Sequence, residues 1–267
     1  MDRSPLTDTM ADDFDRWILR PVPRPDAALR LICAPFAGGG VTVFHGWAER
    51  LPGYVEPWLL RLPGREVRLR ERPHTDLLAL VREAAAVCAY RLDRPFALFG
   101  HSLGALVAFE LARQLRRGHG REPLHLAVSG RRAPCLPERC ETVHHLPDDE
   151  FLNMLDRRFN AIPPVIRDSP EMRALYLPIL RADMTMLETY RYREEAPLDC
   201  SISAFGGTRD PEAGFDDLMG WSSLARGGFT ATIFPGDHFF LQPQRDAVLR
   251  ALARELSRVL IAGPAPS

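Results

Sequence analysis

The 267-residue sequence contains no lysine, so all 34 of its basic residues are arginine. The 35 acidic residues balance them to a formal net charge of −1, which argues against nucleic acid as the main partner. Two interpretations of the missing lysine stay open. It reflects the codon bias of a GC-rich genome, or it reflects a use of the guanidinium fork in phosphate recognition.

Long hydrophobic runs are also missing. No stretch of 18 apolar residues occurs, so neither a transmembrane helix nor a membrane partner is expected. The first residues, MDRSPLTDTMADDFDRW, are polar and acidic and lack the apolar centre of a secretory signal. The sequence therefore predicts a cytoplasmic protein.

Cysteine is sparse and scattered. The five cysteines are odd in number and form no C-x-x-C pair, so the sequence indicates neither a zinc site nor a disulfide framework. A reducing cytoplasm fits this pattern, and no metal ion or other cofactor is predicted. The cysteines are Cys33, Cys88, Cys135, Cys140 and Cys200.

The sequence does have the alternating pattern of an α/β protein. Short apolar runs of β type alternate with segments of helical spacing, which predicts a mostly parallel central sheet with helices on both faces. Residues 1–13 are predicted to be a disordered tail, and residues 14–262 a single domain. The predicted strands are 29–36, 57–64, 94–100, 124–130, 201–207 and 230–236, and the predicted helices are about 43–51, 77–92, 103–117 and 243–260.

One interval, at about 140–195, interrupts the alternation. It contains no good strand but two amphipathic helices, at roughly 148–159 and 169–192, with Pro178 predicting a kink in the second. We interpret it as a helical lid inserted into the domain. Its methionines either fill the core or form a pliable wall for varied apolar ligands. They are Met154, Met172, Met184 and Met186.

A candidate nucleophile lies in FALFGHSLGALVAFELARQL, residues 96–115. Gly100-x-Ser102-x-Gly104 joins an apolar β run to a helix, as in the sharp turn that exposes the serine of α/β-hydrolases. The pattern alone is weak, but Asp210 and His238 each follow a later predicted strand. The chain order serine, acid, histidine is that of α/β-hydrolases. We therefore predict Ser102 as nucleophile, His238 as base and Asp210 as the carboxylate that orients the base.

Other residues near these positions compete for the same roles. Asp216, Asp217 and Asp237 are alternatives to Asp210, although Asp237 is poorly placed to reach the ring of its own neighbour. His101 adjoins Ser102, but the turn should point it elsewhere, so it is interpreted as structural.

Two backbone N–H groups are predicted to stabilise the oxyanion that forms when Ser102 attacks a carbonyl group. One belongs to Leu103, directly after the nucleophile and at a helix N-terminus. The other belongs to Ala37, in the glycine-rich loop Phe36-Ala37-Gly38-Gly39-Gly40. This loop lacks the G-x-G-x-x-G pattern, so dinucleotide binding is a poor fit.

Several stretches together resemble one family. APFAGGG, WLLRLPGRE, FALFGHSLGALVAFELAR, FGGTRDP and GDHFFL recur in family order over roughly residues 28–260. The chain resembles the type II thioesterases of polyketide synthase and nonribosomal peptide synthetase systems, in the α/β-hydrolase superfamily. The resemblance implies a stand-alone hydrolase with a mobile lid. Such an enzyme removes aberrant or stalled acyl groups from the phosphopantetheine arm of an acyl or peptidyl carrier protein, with a triad of Ser102, Asp210 and His238.

Two other functions stay open at this point. One is a general esterase or acyltransferase for free small molecules, and the other is a noncatalytic subunit that binds carrier proteins. The arginines around LPGRE either form a solvated charged face or meet an acidic carrier protein or the phosphate of its arm. They are Arg61, Arg65, Arg68 and Arg70. A monomer is expected.

Overall fold

A sheet of seven strands forms the centre of the part of the chain that the computed structural model describes, residues 12–139, 141–159 and 162–262. The strands are β1 (Ile18–Leu19), β2 (Leu29–Ala34), β3 (Val55–Leu60), β4 (Phe96–His101), β5 (His125–Ser129), β6 (Ser201–Gly207) and β7 (Phe229–Phe234). Their order is β1-β3-β2-β4-β5-β6-β7, in which β1 pairs antiparallel with β3 and the other neighbours pair in parallel. The predicted α/β fold with a mostly parallel sheet is confirmed.

Helices connect the strands. They are α1 (residues 12–17), α2 (Trp47–Arg50), α3 (Leu77–Arg91), α4 (Leu103–His119), α5 (Asp148–Phe159), α6 (Pro164–Asp168), α7 (Pro170–Thr189), α8 (Phe215–Met219) and α9 (Arg245–Ala262). Short 3₁₀ helices form at Val41–Phe44, Glu66–Arg68 and Gly220–Leu224. In the described part of the chain, none of the helices is both long and apolar enough to cross a membrane.

Two apolar layers cover the two faces of the sheet. Helices α3 and α4 pack on one face, and α2 and α9 pack on the other. Because side chains alternate along a strand, Leu98 of β4 enters the first layer and Phe99 the second. Burial on both faces explains why the central strands are apolar throughout. Leu98 lies opposite Ile32 of β2 and Leu126 of β5, so β4 is central.

The structure departs from the predicted elements at the N-terminal side of the chain. Residues 12 and 13, assigned to the tail, belong to α1, whose Phe14 and Trp17 are buried in the core. Residues 1–11 lie outside the described residues. The helix predicted around 43–51 is two elements, because Gly46 adopts φ 76° between them. Strand β1 was not predicted, since two residues are too short for a sequence pattern.

Helices α5, α6 and α7 form the segment between β5 and β6. Helix α5 has the predicted bounds, and α7 begins at the predicted cap, where the Ser169 hydroxyl accepts the N–H of Met172 at 3.2 Å. Helix α7 ends at Thr189 and is continuous through Pro178. The five-residue α6 was not predicted. This segment lies across the carboxyl ends of the strands, where open parallel sheets place their sites.

Candidate active site

Ser102 lies in a strained turn between β4 and α4. Its backbone has φ 55° and ψ −117°, a conformation that residues other than glycine rarely adopt. A Cβ at Gly100 would lie 1.9 Å from the Gly104 carbonyl oxygen, and a Cβ at Gly104 would lie 2.1 Å from that of Ala34. Both flanking residues must therefore be glycine, because helix and strands approach too closely for a side chain. The turn has the form that exposes a nucleophilic serine.

The three residues predicted to form a triad meet in space. His238 Nε2 lies 3.0 Å from Ser102 Oγ, and His238 Nδ1 lies 3.0 Å from both carboxylate oxygens of Asp210. All three side chains are buried. A carboxylate only accepts hydrogen bonds, so Nδ1 carries the proton and Nε2 accepts the serine hydroxyl.

The environment of Asp210 keeps it charged. Burial raises the pKa of its carboxyl, but the hydrogen bond from His238, together with attraction to that ring when it is protonated, outweighs burial, and the pKa lies below its ordinary value. The N–H of Glu212 also donates to Asp210 Oδ1, at 3.0 Å. An ionised carboxylate beside Nδ1 holds the imidazole in one tautomer and stabilises its protonated form.

The competing aspartates are engaged elsewhere. Asp237 accepts the N–H of Phe239 at 2.9 Å, and Asp217 pairs with Arg139 at 3.2 Å and accepts the N–H of Gly214. Asp216 is exposed. The structure therefore brings Asp210, and not these residues, to the histidine ring.

His101 supports the histidine of the triad from behind. Its Nε2 lies 2.9 Å from the backbone carbonyl of His238, so Nε2 donates, and Nδ1 accepts the hydroxyl of Ser129 at 2.9 Å. Burial, together with repulsion from the His238 ring when that ring is protonated, lowers the pKa of His101 to about 3, so the ring of His101 stays neutral. Sequence reasoning gave His101 a structural role but missed this contact, because 137 residues separate the two histidines.

The glycine-rich loop after β2 forms a turn beside the serine. The N–H of Gly39 closes a turn onto the Phe36 carbonyl at 2.9 Å, with Gly38 at φ 77°, which favours glycine. Neither the Ala37 N–H nor the Leu103 N–H has a protein acceptor within the described residues. Ala37 and Ser102 line the same cavity, and Leu103 is the first residue of α4. Their use as oxyanion donors stays a prediction.

A cavity of about 420 Å³ opens beside Ser102. Its wall combines the loops at the carboxyl ends of the strands with the segment that holds α5, α6 and α7. The volume falls in the range of about 300–1,000 Å³ that is typical of small-molecule sites. The lining is mostly apolar: Phe36, Ala37, Gly38, Ser102, Leu155, Phe159, Ile162, Pro163, Ile166, Tyr176, Leu180, Met184, Leu187, His238 and Phe239.

The helices over the cavity touch the triad directly. The ring of Phe159, the last residue of α5, lies 4.9 Å from that of His238. Arg158 makes two hydrogen bonds of 2.7 Å with Glu212, two residues beyond Asp210. Of the four methionines considered above, Met184 and Met186 are both buried in the core, and Met184 also lines the cavity.

The arginines of the LPGRE stretch are not all solvated. Arg68 is buried between Glu71, at 2.7 Å, and the ring of Trp17. Arg65 is 5 % exposed and pairs with Asp183 of α7 at 2.7 Å. A solvated face is therefore wrong for these two residues. Asp183 gave no sequence signal, because 118 residues separate it from Arg65.

Comparison with known proteins settles the family. The thioesterase domain family matches residues 29–256 of the chain. The chain belongs to this family. It is therefore an enzyme of thioester hydrolysis, and the hydrogen-bonded serine and histidine are compatible with a serine hydrolase.

Individual relatives are similar over nearly the whole chain. The thioesterase PikA5 of Streptomyces venezuelae is 40% identical over 87% of this chain and 82% of its own. The linear gramicidin dehydrogenase LgrE of Brevibacillus parabrevis is 40% identical over 92% of this chain and 94% of its own. The solved type II thioesterase BorB from the borrelidin biosynthetic cluster is 36% identical, covers 90% of this chain and 96% of its own, and superposes with a TM-score of 0.80.

Proposed function

We propose that this thioesterase hydrolyses acyl groups from the phosphopantetheine arm of acyl or peptidyl carrier proteins. It thereby removes aberrant or stalled chains during polyketide or nonribosomal peptide biosynthesis, acting as a cytoplasmic monomer. The observation that carries the proposal is the hydrogen-bonded Ser102–His238–Asp210 array at the wall of an apolar cavity. The similarity of this chain to PikA5 and BorB supports carrier-bound thioesters as the substrate class.

Acylation begins at the serine. Ser102 Oγ attacks the thioester carbonyl carbon, and His238 Nε2 takes the hydroxyl proton while Asp210 stabilises the imidazolium through Nδ1–H. The N–H groups of Ala37 and Leu103 donate to the oxygen that becomes negative. The C–S bond then breaks, His238 returns the proton to the departing sulfur, and the acyl group remains on Ser102 as an ester.

Deacylation repeats the same steps with water. His238 takes a proton from water, whose oxygen attacks the ester carbonyl, and the same two N–H groups receive the oxyanion. The proton then returns to Ser102 Oγ as the C–O bond to the enzyme breaks. The products are the free acid and the unchanged enzyme, so the same three side chains serve both acylation and deacylation.

The segment with α5, α6 and α7 acts as the lid of this chamber, within the insertion at about 140–195. Support comes from its place in the structure: Leu155, Phe159 and Met184 line the cavity that Ser102 also lines. Apolar walls accept the acyl chain by burial and leave its polar end at the serine. Because the walls make no polar demand on the chain, we expect tolerance of varied apolar acyl groups.

The test compares two substrates that carry the same acyl group on different leaving groups. Purified protein is mixed with an acylated carrier protein or with the free p-nitrophenyl ester of the same acid, and release is followed by mass spectrometry and absorbance. Faster turnover of the carrier-bound group is expected, with no turnover by Ser102→Ala and normal turnover by the exposed control Ser223→Ala. Cleavage of the ester without any cleavage of the carrier thioester would favour a general esterase.

A further inference from the structure

A buried ion pair joins three segments next to the oxyanion loop, residues 36–40. The Asp183 carboxylate of α7 is fully buried and accepts two hydrogen bonds from Arg65, at 2.7 and 2.8 Å. The same carboxylate accepts the N–H of Gly38 at 2.7 Å. Arg65 also donates to the Gly39 carbonyl at 2.9 Å. The lid helix, the loop after β2 and the loop after β3 therefore meet at one pair of charges.

These contacts fix the backbone on both sides of Ala37. The Phe36 carbonyl is held by the N–H of Gly39, and the next groups along the loop are held by Asp183 and Arg65. In a trans peptide the C=O and N–H point in opposite directions. The Phe36 carbonyl points into the turn that the Gly39 N–H closes, so the Ala37 N–H points away from that turn. Ala37 lines the cavity together with Ser102.

Stability alone does not account for the pair. Removing two charges from water is expensive, and buried ion pairs are often replaced by apolar residues with no loss of stability. Arg65 Nε has no hydrogen-bond partner within the described residues, so the arginine is not even fully compensated. Helix α7 already lies close to the loop without these charges, since a Cβ added at Gly38 would lie only 2.5 Å from Leu180 Cδ2.

Glu66, which follows Arg65 in the LPGRE stretch, holds the backbone just beyond the oxyanion loop. The Glu66 carboxylate accepts the N–H groups of Val41 and Thr42 at 3.1 and 3.3 Å. Glu66 does so from a backbone with φ 50°, unusual for a residue other than glycine. Both charged residues of this stretch therefore bind the backbone that follows β2.

We propose that Asp183 and Arg65 are positioning residues for catalysis. Their ion pair holds the oxyanion loop in the conformation that presents the Ala37 N–H to the reacting carbonyl, and it makes that conformation depend on where α7 lies. This inference rests on the proposed hydrolysis at Ser102. It means that the lid assembles part of the oxyanion site as well as covering the acyl chain.

The test uses shape analogues without charge: Asp183→Leu, Arg65→Met and the double variant. Each single variant leaves one buried charge unpaired, so we expect a lower Tm and a lower kcat. The double variant removes both charges, so its Tm should return toward that of the wild type. Its kcat should stay about 10- to 100-fold low with KM nearly unchanged, because misplacing one oxyanion donor weakens transition-state binding and not substrate binding.

Two further variants keep the test decisive. Arg65→Lys retains the charge but not the fork, and should lose kcat less than Arg65→Met does. Glu188→Gln changes a carboxylate of the same helix that binds His144 and not the loop, and should keep a normal kcat. Recovery of kcat together with Tm in the double variant would overturn the inference. Failure of the wild type to release any thiol would instead overturn the proposed function, and the inference with it.

Discussion

Replacing Asp210 by asparagine should nearly abolish turnover while leaving the fold intact. In the wild type, Oδ1 accepts the N–H of Glu212 and both oxygens face His238 Nδ1. Asparagine keeps an oxygen for Glu212, which places its NH₂ group against Nδ1–H. Two donors then face each other, so the ring changes tautomer, Nε2 carries the proton, and it no longer accepts the proton of Ser102.

The expected loss follows from this wrong tautomer. Serine hydrolases whose orienting aspartate becomes asparagine with intact geometry lose about 10⁴ in kcat, or about 5.4 kcal/mol of transition-state stabilisation. KM should change little, because the apolar walls of the cavity are untouched. The assay is thiol release from an acylated carrier protein at saturating substrate, beside a thermal melt.

Asp216→Asn is the matched control, because Asp216 is a neighbouring but exposed carboxylate. It should retain kcat within about twofold, as surface substitutions usually do. A loss smaller than tenfold in Asp210→Asn, in a protein that melts like the wild type, would refute the tautomer argument.

Three further expectations concern stability, the turn and the cavity. Burial lowers the pKa of His101 and His125 from 6.5 to about 3, so the unfolded chain binds protons that the folded chain does not, and stability falls as pH drops below 6.5. Between pH 7.5 and pH 5.5, the free energy of unfolding measured in urea should fall by about 3 kcal/mol because of these two histidines. His125→Gln should halve that fall, and an unchanged pH dependence in the variant would contradict the argument. Gly104→Ala should reduce kcat by about 100-fold in the thiol-release assay, because its Cβ would displace the backbone at Ala34 and so misplace Ser102. A near-normal kcat would show that the turn tolerates a side chain. Met184→Trp should fill the cavity and slow hydrolysis of long acyl chains more than acetyl, measured as kcat/KM across a chain-length series, and a uniform effect would place the acyl chain elsewhere.

Local patterns in the sequence predicted the sheet and the position of the site. The run SISAFGG became β6 with its predicted bounds, because a short apolar run ending in glycines has few other structures available. Ser102, Asp210 and His238 each follow a strand, and the parallel sheet brings those strand ends to one edge. Their positions were therefore predictable, while their catalytic roles remain predictions until turnover is measured.

What the sequence did not predict depends on contacts between distant residues. Asp183 sits in an amphipathic helix with nothing local to mark it, and its partners come from two other loops. The hydrogen bond from His101 to the His238 backbone is equally nonlocal. Buried polar contacts of this kind are selected by tertiary packing, which neither periodicity nor residue propensity records.

The most direct test of the account is to trap the acyl-enzyme. The protein is mixed with an acylated carrier protein, quenched in acid within milliseconds to seconds, digested and examined by mass spectrometry. The account predicts the mass of the acyl group on the peptide that contains Ser102, appearing before the free acid and absent from Ser102→Ala. Steady release of free acid with no acyl adduct at Ser102, or with an adduct on another residue, would contradict it.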